Sequence, residues 1–224
     1  MAKISKEEQR QQNVAEAVSK TDEFFKKYGK IIYCTVICVL VAVAAVILYS
    51  RFVLQPKKVE AVDQMAQAER WFEEGEYELA LSGDDNFPGF EEIISTYGSK
   101  AGQAVYLYAG IANYKTGNFE EALSLLKKYD GSDPILLGRA QACVGDTYVE
   151  LGDLANAIAW YEKAAATTDN VYAAAYLIKA GIAAEEAGDK AKALAFYQKV
   201  KDLYANAPEA MEIDKYITRI QNAE

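Results

Sequence analysis

Three Gly-Asx pairs, each followed at the same distance by an Ala-aliphatic pair, constrain this chain more than any other feature. They are Gly117-Asn118 with Ala122-Leu123, Gly152-Asp153 with Ala157-Ile158, and Gly188-Asp189 with Ala193-Leu194, a period of 35 to 36 residues. A weaker copy, Gly75-Glu76 with Ala80-Leu81, lies upstream. Self-similarity at this period marks one helix-turn-helix unit stacked several times, because a single unit cannot bury its apolar face and needs neighbours to cover it. The third unit shows the chemistry of the turn. Its first helix, helix A, ends at Glu150-Leu151, Gly152 takes the left-handed cap conformation, and Asp153 caps the second helix, helix B. Such an array is a scaffold for holding other molecules.

The residues within each unit carry a consistent pattern. In the third unit Gly145 and Ala157 let the two helices approach closely, while Tyr148 and Tyr161 fill the space beside that contact, with Ala164 further along. The second unit has Gly110, Ala122 and Pro134; the fourth has Gly181, Ala193, Tyr197 and Pro208; the first has Ala68, Trp71 and Ala80. This pattern resembles the tetratricopeptide repeat over roughly Val59 to Pro208. The resemblance implies an all-α fold, a right-handed α-solenoid of about four tetratricopeptide-like helix pairs. The first unit stands 42 residues from the second, so extra residues interrupt its second helix around Ser82–Gly89, where Gly and Pro cluster too densely for a helix interior. After Pro208 one more amphipathic helix is expected, with Met211, Ile213, Ile217 and Ile220 apolar. It either caps the solenoid with a wet outer face or docks onto a partner.

Composition excludes whole classes of function. The chain has no histidine, which removes the commonest general base and metal ligand and every Ser-His or Cys-His pairing. Its three cysteines, Cys34 and Cys38 in an apolar run and Cys143 far away, form neither a disulfide framework nor a zinc pattern. The chain is therefore read as no enzyme, without catalytic residues, metal or cofactor. Residues 59–224 carry fourteen Lys/Arg against twenty-eight Asp/Glu. That field repels phosphate and argues against nucleic acid as a partner.

From Ile31 to Tyr49 nineteen residues run without a charge, and the run reaches Leu54 if Ser50 and Arg51 sit at an interface. At helical rise this spans about 30 Å, the thickness of a bilayer core. The preceding tail is too long, and a small-x-small site too absent, for a cleaved signal peptide, so the segment is read as a retained anchor. The expected boundaries are 1–30 for a cytoplasmic tail, partly helical, 31–54 for the transmembrane helix and 55–58 for a juxtamembrane linker. The repeats occupy 59–208 and the capping helix 209–224. Lys20, Lys26, Lys27 and Lys30 precede the span and Arg51, Lys57 and Lys58 follow it, so close-range charge is nearly silent. The short, net basic tail favours an N-terminus in the cytoplasm and repeats outside. Val14, Val18, Phe25 and Tyr28 share one helical face, which fits an interfacial helix or a soluble extension of the membrane helix.

Helix A lines the inner surface of a tetratricopeptide superhelix, so alignment nominates a candidate protein-binding face. It comprises Met65, Glu69, Phe72 and Glu73 in the first unit, and Leu107, Ile111 and Tyr114 in the second. The third adds Asp146, Val149 and Glu150 with Arg139 nearby, and the fourth Ile178, Ile182, Glu185 and Glu186. Each apolar member either faces the groove or packs against a neighbouring helix. Lys115 and Arg139 are too few, among so many acids, to clamp a carboxylate. The face suits a segment with apolar anchors and basic flanks.

A short tail, one anchor and an acidic repeat domain together resemble the bacterial YfgM-type proteins. That resemblance implies a single-pass inner-membrane protein with its repeats in the periplasm. It also implies an ancillary role beside the SecYEG translocon and a PpiD-like chaperone, assisting secreted or envelope proteins. The alternative is a self-assembling scaffold, a homo-oligomer that organises envelope or division machinery.

Overall fold

The structure is a computed structural model and describes residues 6–222. The chain divides into two compact units, Met1–Pro56 and Lys57–Glu224. The first contains helix α1, Lys6–Tyr49, and a π-helical turn, Ser50–Leu54. The side chains of Val14, Val18 and Phe25 lie outside the described residues. The backbone of α1 passes through Gly29 without a break. Among the described residues, one helical stretch is long and apolar enough to cross a membrane, and none of its apolar window is buried. Val36, Leu40, Val43 and Ile47 are all exposed. Where water would make that surface costly, a lipid environment does not.

The second unit holds ten helices among the described residues. They are α2 Gln55–Glu74, α3 Tyr77–Ser82, α4 Phe90–Tyr97, α5 Ala104–Lys115 and α6 Phe119–Leu126, then α7 Pro134–Glu150, α8 Leu154–Thr168, α9 Val171–Glu186, α10 Lys190–Leu203 and α11 Ile213–Gln221. Short 3-10 segments, Gly98–Ala101 and Pro208–Glu212, precede α5 and α11. No strand occurs among the described residues; one isolated bridge pairs Gly83 with Pro88. Residues 55–58, expected as a linker, are the opening turn of α2, because nothing between Gln55 and Val59 except Pro56 opposes a helix and Pro is tolerated in a first turn.

The repeated turn has one geometry in all four units. Gly75, Gly117, Gly152 and Gly188 have φ of +85°, +83°, +75° and +80°. The amide of each following residue donates back to the carbonyl five positions earlier: Glu76 to Trp71, Asn118 to Asn113, Asp153 to Tyr148 and Asp189 to Ala184, at 2.8–2.9 Å. This is the Schellman closure, which satisfies the last carbonyls of helix A and reverses the chain. Asp153 and Asp189 then accept from the amides of Asn156 and Lys192 to cap helix B, while Glu76 and Asn118 make no side-chain cap bond.

Behind each turn the conserved-spacing alanines, Ala80, Ala122, Ala157 and Ala193, are fully buried. Opposite them, a Cβ added at Gly145 would stand 2.6 Å from Tyr161 Cε1, and one at Gly110 would stand 2.7 Å from Leu126 Cγ. Gly181 meets Tyr197 in the same way. The interior of the second, third and fourth units is thus a row of small-against-large contacts, one per unit, which sets the separation of the helices.

The first unit contains the interruption expected of it. Gly83 to Gly89 form a loop between α3 and α4, tied by Asp84, whose carboxylate accepts from the Asn86 and Phe87 amides at 2.8 and 2.7 Å. Helix α4 then resumes the packing, with Phe90 stacked on Tyr108 at 5.8 Å and Phe72 edge-on to Tyr108 at 5.1 Å. At the other end Pro208 opens a 3-10 turn, so α11 starts at Ile213, later than the sequence suggests. Ile213, Ile217 and Ile220 join the core shared with α8, α9 and α10, while Met211 is exposed.

A candidate protein-binding face

Helix A of each unit fixes the candidate residues. On α2, Met65 is buried in the first core cluster, Glu69 and Phe72 are half-buried, and Glu73 is exposed. Burial, with the charge of Glu73 second, holds the Glu69 carboxyl above its ordinary range. Tyr108 is raised by burial and then by the same two carboxylates, so these three groups share one patch. On α5, Leu107 is buried and Ile111 and Tyr114 are half-buried. The Tyr114 hydroxyl donates to Glu150 at 3.4 Å. Burial first, then Asp146 and Glu150, pushes its pKa up to about 12.

The third and fourth units form a second, more connected patch. Asp146, Val149, Ile182 and Glu186 line one open cavity of about 120 Å³, together with Tyr161, Lys179 and Ala183. Ile182 is 44% exposed, an apolar side chain presented on the helix A face. Ile178, one turn before it, is buried in the core. Asp146 accepts from the Tyr161 hydroxyl at 2.6 Å and from Lys179 Nζ at 2.7 and 2.8 Å. Glu185 accepts from Tyr197 and from Arg219 of α11, both at 2.5 Å. In each case a helix B tyrosine and a cation from the next helix in the stack converge on a helix A carboxylate. Burial, followed by the partner carboxylate, raises both tyrosine hydroxyls well above the ordinary range and keeps them protonated donors.

Of the fourteen residues read from sequence, Met65, Leu107 and Ile178 therefore sit in the core. Asp146 and Glu185 are neutralised within the fold by Lys179 and Arg219. Glu73, Glu150 and Glu186 are exposed acids, and Phe72, Ile111, Tyr114, Val149 and Ile182 supply apolar surface between them. Arg139 is exposed on α7. Sequence reasoning missed Lys179 and Arg219, whose acid partners lie about one repeat earlier. The one-repeat separation, 33 and 34 residues, was the available signal. Cys143 is largely shielded, and burial, with Asp146 second, pushes its thiol up to about 11, which suits packing and not nucleophilic chemistry. No group of three His, Cys, Asp or Glu residues able to hold a metal occurs among the described residues.

A tetratricopeptide-repeat family model matches residues 175–207, which contain most of α9, all of α10 and the turn between them. A crystal structure from Podosopora anserina, described as kinesin light chain repeats of nearly identical, tetratricopeptide-like sequence, superposes with a TM-score of 0.54. It covers 75% of this chain and 88% of that one at 16% identity. A single-substitution variant of the same protein gives a TM-score of 0.56 at 15% identity, covering 74% and 87%. The fold is a tetratricopeptide-type solenoid. No curated protein sequence matches the chain. Solenoids of this type present extended concave surfaces of the kind used to bind other proteins.

Proposed function

We propose that the chain is a membrane-anchored adaptor that recruits protein partners through the helix A face of its solenoid, on the periplasmic side of a bacterial inner membrane. The observation that carries this reading is the pairing, in one chain, of an uncovered apolar helix of bilayer length with a repeat array whose exposed face mixes acids and apolar side chains. The anchor confines the solenoid to a membrane surface, so that it meets partners there at high effective concentration. Resemblance to the YfgM-type proteins supports SecYEG or a PpiD-like chaperone as the partner and emerging secreted or envelope proteins as the clients. Glu73, Glu150 and Glu186, interleaved with Ile182 and Val149, favour segments with apolar anchors and basic flanks. Crosslinking in intact membranes from exposed helix A positions, followed by identification of the captured chains, tests the proposal. Recovery of translocon or chaperone subunits is expected. Recovery of nothing but further copies of this chain would replace the adaptor with the self-assembling scaffold.

A further inference from the structure

Helix B of the second unit is too short. Helix α6 stops at Leu126 after eight residues, whereas α8 runs for fifteen and α10 for fourteen. By the repeat period, Leu126 is the counterpart of Tyr161, after which α8 continues for two further turns. Those turns bring Ala164 and Ala165 into one core cluster with Leu177, which is 1% exposed. Leu177 has its own counterpart 36 residues earlier, and it is Gln141. Gln141 is also buried, at 6% exposure, yet its Oε1 has no hydrogen-bond partner within the chain. A buried amide oxygen without a donor is destabilising, and the leucine used one unit later would avoid it.

Beside Gln141, at the end of α6, is a cavity of about 480 Å³ with walls from Leu126, from Tyr129 just after the helix, and from Leu137, Val144 and Trp160. The size is that of a ligand-accepting pocket, roughly 300–1,000 Å³. Lys127 and Lys163 both line it and both stand over the Trp160 ring, 5.9 and 4.4 Å from its centroid. Lys127 Nζ also donates to the Tyr148 hydroxyl at 2.7 Å, which holds it there. Asp130 is on the same lining, leaving two cations against one acid. In a region where acids outnumber bases two to one, that is a local inversion of charge.

We propose that this cavity docks a segment of a partner protein at the end of α6. An apolar side chain of that segment packs on Leu137 and Trp160. A donor, amide or hydroxyl, satisfies Gln141 Oε1, and flanking carboxylates pair with Lys127 and Lys163. The charge preference is opposite to that of the helix A face, so the two sites select different segments.

The test uses the full chain in detergent and two end-blocked fluorescent peptides, Asp-Glu-Leu-Ser-Phe-Glu-Asp and its counterpart Lys-Arg-Leu-Ser-Phe-Lys-Arg, followed by anisotropy at low salt. Saturable binding of the acidic peptide is expected, weakened about tenfold or more when Lys127→Glu and Lys163→Glu are combined. Gln141→Leu should weaken the same peptide while melting at or above the temperature of the parent chain. Lys127→Gln with Lys163→Gln replaces the reversal variant if that one melts early. Absence of acidic-peptide binding, or equal binding to parent and lysine variants, overturns the proposal. So does lysine-dependent binding to phosphatidylglycerol vesicles without peptide binding, which would make the patch a lipid contact. Variants of Glu73, Glu150 and Glu186 report on the helix A face separately, through the basic peptide.

Discussion

At the scale of single residues, the fold rests on positions that must be small and on carboxylates that must be met. Gly145 is the clearest of the first kind. Leucine there would drive its side chain into the Tyr161 ring, at a cost on the order of 1–3 kcal/mol or more. At about 2–4 °C per kcal/mol for a domain of this size, thermal denaturation should register it. An unchanged melting temperature would mean that the two helices do not meet where Gly145 and Tyr161 place them. Glu69 is of the second kind and lacks a good partner. Its folded-state proton affinity is raised by burial and by Glu73, so the native state binds that proton more tightly than the unfolded chain. Stability from this group therefore falls as pH rises through the carboxylate range, and the penalty is complete near neutrality. Glu69→Gln should raise the melting temperature near neutral pH and leave it unchanged at about pH 3. The gain is below about 1 kcal/mol because the side chain is screened by solvent. A loss of stability at neutral pH would show that Glu69 makes a favourable contact in its charged form.

At the scale of elements, α11 packs on α10 in the way the next helix A of the array would. Its isoleucines close the core against α10, and its Arg219 reaches Glu185 as Lys179 reaches Asp146. Ile217→Ala should cost about 2–4 kcal/mol. The measurement is urea denaturation of the chain, with the transition midpoint shifted and the slope preserved. A negligible shift would mean that α11 rests loosely on the solenoid and is free to dock elsewhere. Helix α1 makes the opposite case. Its apolar surface is unburied, and Ala42→Arg combined with Val43→Arg would place two charges near the middle of the span, at about 2.5–3.5 kcal/mol each on an insertion scale. The expected outcome is loss of the chain from the membrane fraction after alkaline extraction. Retention there would deny that the span is the anchor.

At the scale of the whole molecule, function is a matter of which surface the stacking leaves open. Reversing Glu73, Glu150 and Glu186 to lysine together should weaken binding of basic-flanked segments by about tenfold or more without changing the melting temperature. Unaltered affinity would move the interface off the helix A face.

Much of this was legible in the sequence. The turn chemistry repeats in Gly-Asx pairs, because only a left-handed residue ends helix A with a Schellman closure, and the four φ values near +80° agree. The helix long and apolar enough to cross a membrane could be read from an unbroken apolar run, and the interruption of the first unit from its Gly-Pro cluster. These features are local, set by backbone sterics and by hydropathy over one helix. The candidate face was only half legible. Periodicity tells which side of helix A points inward but not how closely the next helix A approaches, so Met65, Leu107 and Ile178 were indistinguishable from Ile182. Nor does sequence alone reveal that Asp146 and Glu185 are neutralised from the following helix, or that Gln141 lies beside a truncated helix B. Those facts depend on residues about a repeat apart in the chain becoming neighbours in space. Local chemistry therefore determined the units and the long apolar helix before them, and the stacking of one unit on the next decided which side chains remain for a partner.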